Sequence, residues 1–386
     1  MKKNKSIAFC ILSASMPLLA YQFQFQNQAD TLSISILLAT LMAVVFDYKY
    51  PSPIKYITFV LLGIFCMSIY QSIILFPIAL VLIKQLVDSL NNKIDYKAGS
   101  SKLLLLLCLV LIIYIFYSLA THYVQLYLNI PAAEYFKAML TWGKQPSNEV
   151  FQDVLKHLKW RLGNKSHFGL KIYWITAIPL IIIVIKSIRC KNYYSTFLAI
   201  CIYLFPFSLD VLTGTWLPAR TLTQIPICFA ALISLSFFNL RANYIYFVSF
   251  SLLLIGASNS NRLFYADFIS NQQDNFLSQM MLSHLIMDYP EFNAKSDKIY
   301  FYGNSPLNNK WRPSNSENFG MSFFQYGDSR IVNYMNMTGF MDLKRVNDTT
   351  IKMMENDIKA VPCWPDKKSI IKRESDYIIK YCTTSF

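Results

Sequence analysis

The sequence predicts an α-helical polytopic membrane body followed by a small exported α/β domain. Three observations predict it. Hydrophobic residues make up 54% of the 386 and charged residues only 15%, against roughly 25% charged in soluble domains. Apolar runs close to the ~20 residues that cross a bilayer recur through the first two thirds of the chain and then stop. Charge changes at the same point: residues 1–257 carry 21 Lys and Arg against 8 Asp and Glu, whereas 258–386 carry 15 against 14. All but one unit of the net charge of +14 therefore belongs to the apolar part, where loop cations set orientation and meet anionic headgroups. The basic-aromatic modules of nucleic-acid binders are missing, so no nucleic-acid partner is expected.

Hydropathy places about nine crossings at 6–22, 31–47, 56–70, 71–87, 103–121, 170–187, 193–211, 221–238 and 243–258. With the amino terminus in the cytoplasm, the inner connections collect Lys49, Lys55, Lys93, Lys97, Lys102, Arg189, Lys191 and Arg241. Outside connection 23–30 has no Lys or Arg, and 212–220 has only Arg220. That matches the positive-inside rule and puts 259–386 outside the cytoplasm. Ser13-Ala14-Ser15 has the small residues of a signal-peptide cleavage site, but apolar character runs on to Leu19-Ala20, so a retained helix is expected. Segment 56–87 is short for two crossings and long for one. It reads as two spans or as a re-entrant hairpin with Tyr70-Gln71-Ser72 at its tip, tolerated only where it lines a cavity or is buried in protein.

The outside connection 122–169 is too long to be a turn. Its stretch 149–163 has helical periodicity, with Val150, Val154, Leu155, Leu158 and Leu162 as an apolar stripe and Gly163 as a stop. Lys156, Lys159 and Arg161 occupy other faces, as in a basic helix lying in the interface. Two readings stand: a membrane-surface strut, or a clamp in which Lys159 and Arg161 hold a lipid-linked phosphate. The exported tail predicts a helix at 261–287, a strand at 298–303, loops with short elements over 304–340, a helix at 347–357, and strands near 358–362 and 376–382. Six cysteines lie in or beside spans as small apolar fillers, while Cys363 and Cys382 could pair in an oxidising compartment. The four histidines (122, 157, 167 and 284) are scattered, and no metal site is expected.

Ionisable residues at membrane depth or at a span mouth are candidates for chemistry. Asp47, Asp88 and Asp95 read as cytoplasmic loop charges, and Glu134, Glu149 and Asp153 belong to the long loop. Asp30 and Asp210 remain, each at the outer end of a span. Asp30 follows the polar-aromatic stretch Tyr21–Gln28, fit for a sugar-binding lip, and is equally placed to cap the next helix. Across the mouth, Thr213-Gly-Thr-Trp-Leu-Pro-Ala-Arg220 holds a cation suited to bidentate phosphate binding, or else a snorkelling Arg beside the belt residue Trp216. Tyr70, Gln71 and Trp216 would line the cavity or bind sugar. These pieces point to glycosyl transfer from a polyprenyl-phosphate sugar: a cation stabilises the departing phosphate, and Asp30 or Asp210 deprotonates the acceptor hydroxyl. A flippase or transporter would predict repeated halves with broken paired helices, and an O-antigen polymerase a large Arg-bearing outside loop.

The same residues carry a resemblance. Met16-Pro-Leu-Leu, Phe25-Gln-Asn-Gln-Ala-Asp30 before an apolar span, Ser68-Ile-Tyr-Gln-Ser72, Trp216-Leu-Pro-Ala-Arg220 and Lys298-Ile-Tyr-Phe-Tyr-Gly303 together resemble the type II family of bacterial serotype-converting O-antigen glucosyltransferases. That resemblance implies a multi-pass inner-membrane enzyme with a GT-C-like helical body and a periplasmic tail. It implies undecaprenyl-phosphate glucose as donor, no further cofactor, and O-antigen of lipopolysaccharide as acceptor. A small flippase and a bactoprenol glucosyltransferase are the implied partners, commonly encoded with it on a prophage. Asp30 matches the acid that opens the family's span after the aromatic loop, and Tyr70 and Gln71 match its hairpin motif. The family has a longer start, with an outside loop of paired acids. This chain begins without it, which leaves the role to Asp30 or Asp210 or marks a shortened member whose activity is in question.

Overall fold

The computed structural model describes residues 3–25, 28–48, 52–131, 139–163, 165–236, 242–305, 307–339 and 341–382. Lys49, Glu134, Arg241, Gln26 and Asn27, and the last two residues of the expected span 221–238, lie outside the described residues. The chain forms two compact units, 1–260 and 261–386.

The first unit is helical: α1 (Lys3–Ala14), α2 (Leu18–Phe23), α3 (Ala29–Asp47), α4 (Pro53–Ile69), α5 (Leu75–Leu90), α6 (Tyr96–Leu128), α7 (Ser147–Arg161), α8 (Ala177–Arg189), α9 (Tyr193–Leu204), α10 (Ser208–Thr213) and α11 (Ile225–Ser236). The start of α12 (Ala242–Asp288) completes it. Among the described residues, five helical runs are long and apolar enough to cross a membrane: Ala29–Asp47, Gln71–Leu90, Tyr96–Leu128, Leu170–Arg189 and Tyr193–Thr213. Pro53–Ile69 and Ile225–Ser236 are shorter apolar helices. Leu37, Val44, Leu111, Phe116, Ile181 and Ile185 stand exposed on their outer faces, which suits hydrocarbon rather than water. The first unit is thus a helical body whose long apolar helices have the length and composition to lie in a bilayer.

The middle of the first unit is α11, where every residue from Ile225 to Leu235 is buried. A helix apolar all round has no face to offer water and goes to the centre, and α1, α5, α8 and α9 all pack on it. The expected crossing 6–22 is broken at Ser15–Pro17 into α1 and α2, because the proline ring removes an N–H and crowds the preceding turn. At that break α12 comes close: a Cβ on Gly256 would overlap the Ser15 carbonyl. Segment 56–87 opens at Tyr70, whose backbone is extended (φ −154°, ψ 109°), followed by a single 3₁₀ turn at 71–74. Both arms pack on α3, and Gln71 Nε2 donates to the Tyr117 hydroxyl of α6 at 2.8 Å. The last expected span and the expected tail helix prove to be one element, α12, because nothing between 258 and 261 stops a helix: Ser and Asn lower propensity without breaking it.

The second unit is built on a four-stranded sheet in the order β2-β1-β4-β3, from β1 (Lys298–Tyr302), β2 (Lys344–Arg345), β3 (Ile370–Arg373) and β4 (Asp376–Lys380). β1 runs parallel to β2 and β4, and β3 pairs antiparallel with β4. Strand alternation sends Ile299, Phe301, Tyr377 and Ile379 to a core with Leu277, Met281 and Leu285 of α12 and with α13 (Asp328–Met337). Ile378 joins Ile351 of α14 (Asp348–Met353) and Ile358 of α15 (Glu355–Ala360) on the other face. The strand expected near 358–362 is instead α15, held by a Glu355–Lys359 pair at 2.7 Å and ended at Pro362. Cys363 and Cys382 are joined as a disulfide, Cα atoms 5.4 Å apart.

Candidate functional site

The site grows from α7 and the turn after α10. Glu149 in the first turn of α7 and Lys159 and Arg161 in its last complement the helix dipole. Val150 and Val154 are buried, and Arg161, eleven residues after Val150, follows them inward. Leu155 of the apolar stripe is exposed together with Phe151. The buried face is thus 150, 154 and 161, because a cation at 161 is wanted by the acid across from it.

That acid is Asp210. Arg161 Nε donates to Oδ2 at 2.5 Å and Nη2 to Oδ1 at 2.8 Å. Nη2 also donates to the Leu217 carbonyl at 2.5 Å, and the Leu217 N–H donates to Oδ1 at 3.2 Å. Trp216 covers the guanidinium, its ring centre 4.1 Å from the central carbon. The His167 ring lies 5.2 Å from Trp216 and the His157 ring 6.0 Å. Burial lowers the His157 imidazole below its usual value, against the pull of Asp153 and Asp210. Arg161 also lines a cavity of about 10 Å³ with Ser166, His167 and Tyr173, about the space of one water.

Arg161 and Asp210 therefore occupy different places from those expected of them. Both oxygens of Asp210 hold donors and its side chain is closed to solvent, so it cannot reach an acceptor hydroxyl. Arg161 is turned inward on Asp210 and cannot grip a headgroup phosphate. Exposed cations near them include Lys159 and the pair Lys156 and Lys165, whose ammonium groups lie 4.9 and 4.3 Å from the Trp160 ring centre.

The two sides of the expected mouth do meet. The Tyr21 hydroxyl donates to the Phe168 carbonyl at 2.9 Å, and Gln22 Nε2 to the Arg220 carbonyl at 3.4 Å. The Arg220 guanidinium stacks on the Phe25 ring at 4.9 Å. Asp30 is exposed in the first turn of α3, where Oδ1 accepts the Thr31 N–H at 2.7 Å. Gln71 is engaged with Tyr117 rather than with this rim. Trp160 and Lys165 escaped the sequence reading, and His167, read there as one of four scattered histidines, packs beside Trp216. The available signal was a Trp in the last turn of the amphipathic helix with lysines on either side, whose ammonium groups can sit over its ring.

The described residues contain no group of three His, Cys, Asp or Glu arranged to hold a metal ion. No protein-family model, curated protein or solved structure matches this chain.

Proposed function

We propose that this protein is a membrane glycosyltransferase that moves glucose from a polyprenyl-phosphate donor to O-antigen on the outer side of the bacterial inner membrane. The observation that carries the reading is the rim where Arg220, half-buried and stacked on Phe25, meets the polar-aromatic stretch that leads to the exposed Asp30. In this reading Arg220 neutralises the departing lipid phosphate. Asp30 takes the proton of the acceptor hydroxyl. Lys156, Lys159 and Lys165 gather the anionic donor, with Trp160 as a platform for its sugar. Arg161 and Asp210 act as positioning residues that fix Trp216 and the turn bearing Arg220.

The topology that goes with this function has nine crossings, the amino terminus in the cytoplasm and 259–386 in the periplasm, as the loop lysines favour. The donor is undecaprenyl-phosphate glucose, and a small flippase and a bactoprenol glucosyltransferase would supply it. The test is structural analysis of lipopolysaccharide from cells with and without the gene. The expected result is one side-branch glucose per repeat that depends on the gene. A change in chain length alone would point to a polymerase and overturn the proposal.

A further inference from the structure

A second cleft, of about 1060 Å³, lies in the first unit between the loop joining α5 to α6 and the loop joining α8 to α9. Its volume is at the upper end of the ~300–1,000 Å³ of small-molecule sites. Lys93 and Lys191 line it, with Tyr96, Tyr193, Tyr194 and Phe197. Neither lysine has an ion-pair partner among the described residues. The one acid in the lining, Asp95, is committed to capping α6: its Oδ1 accepts the Ala98 N–H at 2.8 Å. The amino-terminal end of α9 also opens onto the cleft and adds partial positive charge to that of the lysines, whereas Asp95 offsets that of α6.

The floor is built rigidly. The Tyr194 hydroxyl donates to Gln85 Oε1 at 2.6 Å, and Ser89 bonds Ser195 at 2.8 Å beside it. A Cβ on Gly99 would overlap the Tyr194 ring, so only glycine lets α6 close on it. Phe197 stacks on Tyr194 and is itself exposed, and Ile200 continues the apolar surface along α9. A cationic mouth with interfacial tyrosines that runs into an apolar helix face matches one ligand class, a phosphate carried on acyl chains.

We infer that this cleft binds the phosphodiester headgroup of an anionic phospholipid, with Lys93 and Lys191 on the phosphate and the chains along α9. The site requires only that the helices lie in a bilayer and is independent of the transfer chemistry.

Native mass spectrometry of the full chain in neutral detergent tests it, with phosphatidylglycerol, phosphatidylcholine and inorganic phosphate as probes. Phosphatidylglycerol is expected to stay bound where phosphatidylcholine does not. The Lys93→Gln/Lys191→Gln variant should bind it about thirty-fold more weakly, at ~1 kcal/mol for each lysine. Ala98→Trp, which fills the cleft from an exposed position without touching the lysines, should do the same while helical circular dichroism is unchanged. Equal retention of phosphatidylcholine, or undiminished phosphatidylglycerol binding in both variants, overturns the site. Competition by inorganic phosphate at the concentration that saturates with lipid overturns the lipid and leaves a free-phosphate site.

Discussion

Arg161 and Asp210, 49 residues apart in sequence, form a two-pronged ion pair with 2% and 0% of their side chains exposed. The pair ties α7 to the turn that presents Trp216 and leads to Arg220. Removing one partner strands a buried charge, at a cost of about 3–5 kcal/mol. Asp210→Asn and Arg161→Met should each lower the melting temperature of the purified protein and expose 147–163 to trypsin. The double change to Met and Leu should recover much of the loss, since neither charge is then stranded. If the singles melt like the wild type, the brace carries no load.

Helix packing makes a second prediction at Gly256. Its α-carbon faces the Ser15 carbonyl, so Gly256→Val forces two backbones apart. Overpacking of this kind costs about 1–3 kcal/mol, and a lower yield of folded protein in detergent with a depressed melting temperature is expected.

Asp274 supplies a pH signature in the second unit. Its carboxylate accepts from the Ser322 hydroxyl at 2.5 Å and the Phe323 N–H at 2.8 Å. Burial outweighs both bonds and pushes the carboxyl up to about 6, against about 3.9 unfolded. The folded state thus holds this proton more tightly than the unfolded one. The charged form costs about 3 kcal/mol above pH 6, and the cost fades as pH falls from 6 towards 4. Asn can accept from Phe323 and donate to Ser322. Asp274→Asn should therefore melt higher than the wild type at pH 7, with the gap narrowing by pH 4.5. A gap that stays constant across this range would exclude Asp274 as the titrating group.

The Cys363–Cys382 bond closes a loop of 19 residues, which corresponds to about 3 kcal/mol in the chain-entropy account. Cys363→Ser should lower the melting temperature, and thiol labelling of intact cells should find both cysteines blocked until a reductant is added. Ready labelling without reductant would put the tail in a reducing compartment.

Much of this architecture was legible because hydropathy and local pattern govern it. Runs such as 225–236 announce themselves, and the alternation at Lys298–Tyr302 marks a strand. The unread parts depend on distant partners. Nothing near Arg161 in sequence pairs it with Asp210; the clue was a cation eleven residues from Val150 on the buried face. β3 was hidden because Lys372-Arg373-Glu374 masks a two-residue apolar core, and the Glu374 turn (φ +54°) that folds it onto β4 has no glycine. α13 was lost in an Asn- and Met-rich segment whose Ile331, Val332 and Met335 mark a helical face only once the sheet is there to cover it.

The rim makes the decisive functional prediction. Arg220 stacks on Phe25, and Asp30 opens the helix five residues further on, so one segment links the cation to the only exposed candidate carboxylate of the pair Asp30 and Asp210. Arg220→Ala should reduce glucosylation of lipopolysaccharide by about 10²-fold or more, the usual loss when a group stabilising developing charge is removed. Arg220→Lys should recover only part, because a point charge lacks the planar fork. Asp30→Asn keeps an acceptor for the Thr31 N–H and so preserves the helix start, yet it removes the base; a loss of about 10²–10⁴-fold is expected. Both variants should insert and melt normally. Full modification by Asp30→Asn would return Asp30 to the role of a helix-terminal charge, and full modification by both would leave the rim without a part in the reaction.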